Sequence, residues 1–389
     1  MMAIAACPLA AGAQELLAPP LTLDADPTPS TSPAALWSAG QDPSFRLPPA
    51  PTTPALRLTF YWENDGGFAK PFDRHDRHYT AGVGASLSWR APWVDDLLKP
   101  LPSFGDEFPA DRSSFAMGFV GALNIYTPGD ISNPAPLFND RPYAGWSYAG
   151  LFFQRANYRV PLPVFESLEV DLGLVGPSSL AQNAQEMVHH EYDYIYPHGW
   201  HNQIHDEPEF SIKYEHRWRI FRRGLFMTSE HSGLFADVIP DVGFTAGSLI
   251  DELRAGVLFR LALLDDQMPD DFGPGALDRP EDFTFSPASS FRGSFFENVF
   301  RHQTVYLFAR PYGRLVAHNT LLQGDNWRND DPVTVNPQPA VGGVQVGIVH
   351  RVMNCLEFSY TTTWQSDEFH GQHGGDCWSS IQFSFFLNF

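Results

Sequence analysis

Basic residues are scarce in this chain: 25 Lys and Arg stand against 45 Asp and Glu in 389 residues, a formal charge of -20. Such a surface repels a phosphate backbone over most of its area, which argues against nucleic acid as a partner. Acidic loops can instead gather divalent cations. Cysteine is nearly absent. Cys7 lies in an apolar N-terminal stretch, and Cys355 and Cys377 flank a loop in a register that does not oppose them, so two unpaired thiols are expected. No HExxH sequence accompanies the groups His75/His78, His189/His190 and His198/His201/His205, so a structural zinc is not expected. After the leader there is no apolar run long enough for a spanning helix. That leaves room for a β-barrel, which crosses a membrane with segments of about ten alternating residues.

What the chain has in quantity is aromatic side chains, 14% with 32 Phe, together with 31 Gly and 34 Pro. Residues 1–13 end in Ala11-Gly12-Ala13 and look like the tail of an export signal, without its basic start. Ile4-Ala5-Ala6-Cys7 also resembles a lipoprotein box. Residues 14–55 are Pro-rich with little to bury, and are expected to be a disordered leader before a folded domain over 56–389.

From Leu56 onward, period-two segments recur. Leu56, Leu58, Phe60 and Trp62 alternate with Arg57, Thr59, Tyr61 and Glu63; Tyr79–Trp89 and Leu168–Leu174 behave alike. One greasy face suits either a sandwich core or a lipid-facing wall. The last segment, Ile381–Phe389, decides for the wall: it alternates Ile, Phe, Phe, Leu, Phe and stops on Phe, like the final strand of an outer-membrane barrel. In a sandwich it would be a sticky edge, which barrel closure removes. About twelve strands can be counted, giving an all-β, antiparallel, up-and-down transmembrane barrel. Strands are expected at 208–221, 225–239 and 242–262 in its middle, and the insertions 177–207 and 264–300 should be extracellular loops or caps. The first contains a helix. Ser179-Leu-Ala-Gln182 has capping-box form, Leu180, Ala184, Met187 and Val188 share one face, and Gln182, Gln185 and His189 share the other.

Taken in order, Glu63-Asn64-Asp65, Tyr79-Thr80-Ala81-Gly82, Asn124–Pro128, Asp140–Gly145, Gly176-Pro177 with Gln185 and His189, Gly199–Gln203, His318-Asn319 and the Phe-ended strand resemble the outer-membrane lipid A 3-O-deacylase (LpxR-like) family. The resemblance covers nearly all of 56–389. It implies a calcium-dependent hydrolase that cuts a 3-position acyl ester of lipid A in the outer membrane of a Gram-negative bacterium. His189 would be the base toward water and Gln185 its neighbour, with Asn64, Asp65 and Thr80 completing the catalytic set. Asn64 and Asp65 would hold the metal with a second acid, for which Glu191 or Asp193 is available; Arg141 and Tyr143 would contact the lipopolysaccharide. The family's basic pair has no counterpart at Asn133–Pro136. By strand alternation, Asp65 and Thr80 should point inward and meet beneath the helix. A monomer is expected. The alternative is a catalytically inactive barrel of the same fold with a structural or transport role. Taken alone, Asn64–Gly67 would suit a polar hairpin turn, and Asp140-Arg141 an ion pair at the start of a strand.

Overall fold

A computed structural model describes residues 55–65, 76–98, 100–101, 108, 113–157, 162–229, 232–262, 272–273, 303–328, 330–352 and 356–388. The export-signal and leader expectations for 1–54 lie outside these residues. Thirteen strands form one antiparallel sheet: β1 (Ala55–Asn64), β2 (His78–Arg90), β3 (Ser113–Thr127), β4 (Ala144–Asn157), β5 (Val164–Val175), β6 (Glu207–Trp218), β7 (Phe221–Ser229), β8 (Ser232–Gly247), β9 (Ile250–Ala262), β10 (Gln303–Asn319), β11 (Ala340–Val352), β12 (Leu356–Gln365) and β13 (Asp376–Asn388).

The sheet closes twice over. β1 pairs with β13 along its full length. β6 and β7 lie end to end along β8, β6 on its Asp241–Gly247 half and β7 on its Ser232–Val238 half, so they fill one place in the wall. At the break, Arg219 N donates to Pro163 O at 2.9 Å and Ile220 N to Val238 O at 3.1 Å, which passes the backbone from one neighbour to the other. The result is a closed barrel of twelve strand positions. The expected strands at 225–239 and 242–262 are corrected: β7 and β8 turn after Ser229, and β8 and β9 turn at Ser248-Leu249, where the apolar alternation runs on through the turn.

The polarity is inside out for a soluble protein. Phe60 is 47% and Trp62 50% exposed, whereas Tyr61 is 3% exposed and Arg57, Thr59 and Glu63 are buried. Val83, Leu87, Phe119, Leu253, Leu307, Phe383 and Phe385 continue the exposed apolar belt. A belt on this scale is surface meant for hydrocarbon. The lumen is filled with paired charges: Arg260 Nε donates to Asp237 at 2.9 Å, Arg310 Nε to Asp241 at 3.0 Å, and Arg57 to Glu357 at 3.2 Å. Ions this deep persist only when paired, since an uncompensated one costs several kcal/mol, on the order of 3–5.

Strand direction sorts the connections. The described parts of the β1–β2, β3–β4, β5–β6, β10–β11 and β12–β13 connections emerge at one end; the start of β1 and the end of β13 lie at the other. Apart from Phe272 and Gly273, the expected cap at 264–300 lies outside the described residues; the strand ends that flank it, Ala262 and Gln303, are at the end opposite the 176–206 loop. Cys377, in β13, pairs in register with Trp364; Cys355, and with it the expectation of two unpaired thiols, lies outside the described residues.

Among the described residues, three short α-helices decorate the ends: α1 (Pro92–Leu98), α2 (Ala181–Tyr192) and α3 (Thr320–Gln323). Only α2 concerns the site.

Candidate active site

The position of α2 follows from two glycines. Gly176 has φ of 80°, and a Cβ there would meet the His205 backbone at 2.5 Å. This lets the chain turn sharply off β5 into Pro177–Ser179, a single 3-10 turn. At Gly145 on β4, a Cβ would lie 2.1 Å from Ser179 Oγ and 2.3 Å from Ala181 Cβ. Gly145 alternates with Ala144 and Trp146, which belong to an inner cluster with Val120 and Phe152. The helix therefore docks on the outer side of the wall, over β3 and β4, where Ala181, Ala184 and Trp200 pack on Ile125, Leu123 and Ala81. The capping box does not form: Ser179 Oγ instead donates to Gly176 O at 2.6 Å, and Leu180, at φ of 65°, begins the helix without a side-chain cap.

The helix is amphipathic in the reverse sense. Its buried residues are Ala181, Gln185 and His189, while Leu180, Met187 and Val188 are exposed. The polar face meets Asp76, a residue that no pattern in the sequence singles out. Asp76 Oδ2 accepts from Gln185 Nε2 at 2.6 Å and lies 2.8 Å from His189 Nε2. Gln185 Oε1 accepts in turn from Trp200 Nε1 at 2.7 Å, and His189 Nδ1 lies 2.5 Å from Ile195 O. Both imidazole nitrogens thus face acceptors. Burial alone would lower the His189 pKa, but the hydrogen bond and charge of Asp76, with the Ile195 carbonyl, outweigh it and hold the pKa above the ordinary 6.5.

The adjacent residue, Arg77, uses its backbone N–H to donate to Asp65 Oδ2 at 2.6 Å. Asp65 and His189 are therefore anchored on consecutive residues of one connection. Asn64 Nδ2 and Asp65 N both reach Thr80 O, at 3.3 and 3.1 Å. Asn64 continues the outer series Phe60, Trp62. The register of β2 on β3 slips between Tyr79 and Ala81, which makes Thr80 the extra residue of a bulge. Tyr79 points inward to Glu63, whereas Thr80 Oγ1 bonds Thr127 Oγ1 at 2.7 Å, and Thr127 comes directly after the inward Tyr126. The expectation that Thr80 faces the lumen is thus corrected: a bulge adds a residue and reverses the side of its neighbours further along the strand. The cluster sits on the outer lip of the barrel.

A model of the family described as "Outer membrane protein LpxR" matches residues 30–387. The chain belongs to the LpxR family. Among solved structures, LpxR from Salmonella typhimurium is 18% identical, covers 85% of this chain and 99% of its own, and superposes with a TM-score of 0.61. The transport unit of the autotransporter AIDA-I from Escherichia coli is 8% identical over 92% of this chain and 97% of its own, with a TM-score of 0.37, too low to bear on the site. No curated protein matches in sequence. As an LpxR-family barrel, the protein resides in the outer membrane of a Gram-negative bacterium.

Three assigned residues of this LpxR-family chain fall elsewhere. Glu191 is exposed and, two residues past His189, lies about 200° around the helix from it. Its place as second metal-side acid is corrected; the acid beside His189 is Asp76. Arg141 has a fully buried side chain, donates to Glu368 at 3.0 Å and stacks over the Tyr126 ring at 4.4 Å. Tyr143 is buried, donates to Ile131 O at 3.2 Å and packs on Trp200 with ring centroids 4.9 Å apart. Both were expected to touch substrate; both instead hold the loops to the wall. Asn133 Oδ1 accepts from Ala135 N at 2.9 Å, forming a plain turn where the family has its basic pair. Glu63, Tyr79 and Asn124 line a small inner cavity of about 50 Å³, on the far side of the wall from His189.

Proposed function

We propose that this LpxR-family barrel hydrolyses a 3-position acyl ester of lipid A. The observation that carries the reading is the placement of His189, Gln185 and Asp76 on the outer lip, above the exposed apolar belt, rather than in the lumen. A lipid held in the outer leaflet would reach such a site laterally, and the exposed Met187 and Val188 would offer hydrocarbon to its acyl chain. The closed, charge-filled lumen gives no support to transport.

In this reading, His189 Nδ1 keeps its proton on the Ile195 carbonyl, so Nε2 is the atom that takes a proton from water when Asp76 yields it. The water oxygen adds to the ester carbonyl, the bond to the sugar oxygen breaks, and that oxygen takes the proton held by His189, leaving a free fatty acid and a 3-hydroxyl. Gln185, fixed by Trp200, orients Asp76. The donors at Asn64 and the buried Asp65 are hard oxygens, a set that suits calcium. They would hold the ion, which supplies positive charge for the developing oxyanion.

A second reading, a barrel of the same fold without chemistry, draws support from the exposed Glu191 and the missing basic pair. Mass spectrometry of lipid A from cells carrying wild-type protein or His189→Ala separates the two. Loss of one 3-linked acyl chain with the wild type alone supports hydrolysis; identical lipid A in both refutes it.

A further inference from the structure

The histidine that the active site leaves unused is His205, at the exit of the α2 loop. Its Nδ1 lies 2.8 Å from Asp331 Oδ1, 3.1 Å from Asp330 Oδ1 and 3.5 Å from Asp325 Oδ2. One ring nitrogen carries at most one proton, so it cannot serve three carboxylates. Indeed Nδ1 is shielded from solvent and is not aligned for a hydrogen bond with any of them. The ligand atoms of His205, Asp325 and Asp330 all fall within 4.8 Å of one another. Donors about 2.1 Å from one cation sit roughly 3.0–3.4 Å apart, which is the spacing seen around this nitrogen.

A second observation points the same way. Glu207 and Glu209, each 3% exposed, flank the same loop: Asn326 N donates to Glu207 Oε2 at 2.8 Å and Asn326 Nδ2 to Glu209 Oε1 at 3.0 Å. Glu207 and Glu209 also hydrogen-bond to each other, and the Asp325 carboxylate is close enough to repel Glu207. Buried carboxylates are held by a cation or a coordinated metal, or they lose their charge. Among the described residues, neither Glu207 nor Glu209 forms an ion pair with a Lys or Arg side chain.

We propose that His205, Asp325 and Asp330 form a divalent-cation site, separate from Asn64 and Asp65, with Glu207 and Glu209 as buried counter-charge beneath it. The loop is already shaped for it. Asp331 accepts from His205 N at 2.7 Å and Asp325 N at 2.5 Å, and Asp325 Oδ1 accepts from Arg328 N at 2.6 Å. An imidazole with carboxylates suits Mn²⁺ or Zn²⁺ better than calcium. The ion would tie the 320–339 connection to the α2 loop, because Asp206, next to His205, accepts from Ser178 N at 2.5 Å just before the helix. The inference stands independently of lipid A hydrolysis.

The test is Mn²⁺ titration by calorimetry of the full-length barrel, folded in detergent and stripped with chelator. Wild type and Asp65→Asn should both retain a site that His205→Ala removes. Asp330→Asn should weaken that site at least about tenfold through loss of a ligand charge. Asp330 has a side chain 65% exposed, so this variant keeps the barrel intact even if His205→Ala does not fold, which heat-modifiable gel mobility reports. Titration curves for His205→Ala and Asp330→Asn matching wild type overturn the proposal. So does loss of all Mn²⁺ binding in Asp65→Asn.

Discussion

His189 Nε2 and Asp76 Oδ2 are 2.8 Å apart, and the same Asp76 oxygen accepts from Gln185. This one carboxylate joins the β1–β2 connection to α2. A base acts only when it has shed its proton, and the His189 pKa lies above 6.5, so activity should rise with pH through a midpoint above 6.5. Asp76→Asn removes the charge that holds the proton. The rising limb should then move to lower pH while the maximum rate falls. A pH–rate profile with an unmoved limb would show that His189 is not the group that titrates.

His189→Ala should lower kcat by about 10²–10⁴-fold, the usual worth of a positioned base. The barrel, which closes without α2, should keep its heat-modifiable mobility. Full activity in the variant would place the base elsewhere.

Trp200→Phe tests the support behind the site. It removes the 2.7 Å bond to Gln185 Oε1 and leaves that buried oxygen without its donor, a cost of about 1–3 kcal/mol. Gln185 then holds Asp76 less firmly. The expected outcome is a lower kcat with little change in KM; a change confined to KM would make Trp200 a substrate contact instead.

Arg141→Ala should damage stability rather than substrate affinity. Deleting it removes the 3.0 Å bond to Glu368 and leaves that carboxylate its 3.4 Å pair with Arg314, a loss of about 1–3 kcal/mol, readable as a lower midpoint in denaturant. Selective weakening of lipid A binding by an otherwise stable variant would restore Arg141 to the substrate.

Phe119 is 53% exposed in the middle of β3. Arg at this position should cost about 2–4 kcal/mol in a bilayer if the belt faces hydrocarbon. Unfolding in lipid vesicles measures it, and a neutral effect would mean that this face is wet.

The barrel can be read from the chain because its signal is local: Leu58, Phe60 and Trp62 against Thr59, Tyr61 and Glu63 gives each wall its two faces. Strand ends are less visible where alternation persists through a turn, as at Ser248-Leu249, or pauses for two residues, as at Arg219-Ile220. Gln185 and His189 are legible as helical neighbours one turn apart. Asp76 is not, since nothing in His75-Asp76-Arg77-His78 tells which charge meets a helix folded back from residues more than a hundred positions on. Thr80 stands out in the sequence but is assigned to the wrong side, because a bulge leaves no mark in the period. Glu191 is close to His189 in sequence, and on a helix that same closeness points it away. Arg141 and Tyr143 carry chemistry that suits substrate, and only their burial shows that they serve the loops.

Whether the outer lip of this barrel cuts an acyl ester is decided by purified protein folded in detergent, incubated with lipid A and calcium and monitored by mass spectrometry. One 3-linked fatty acid should be released, with release abolished by chelator and restored by calcium. Unaltered lipid A with calcium present, from protein shown to be folded, would refute hydrolysis.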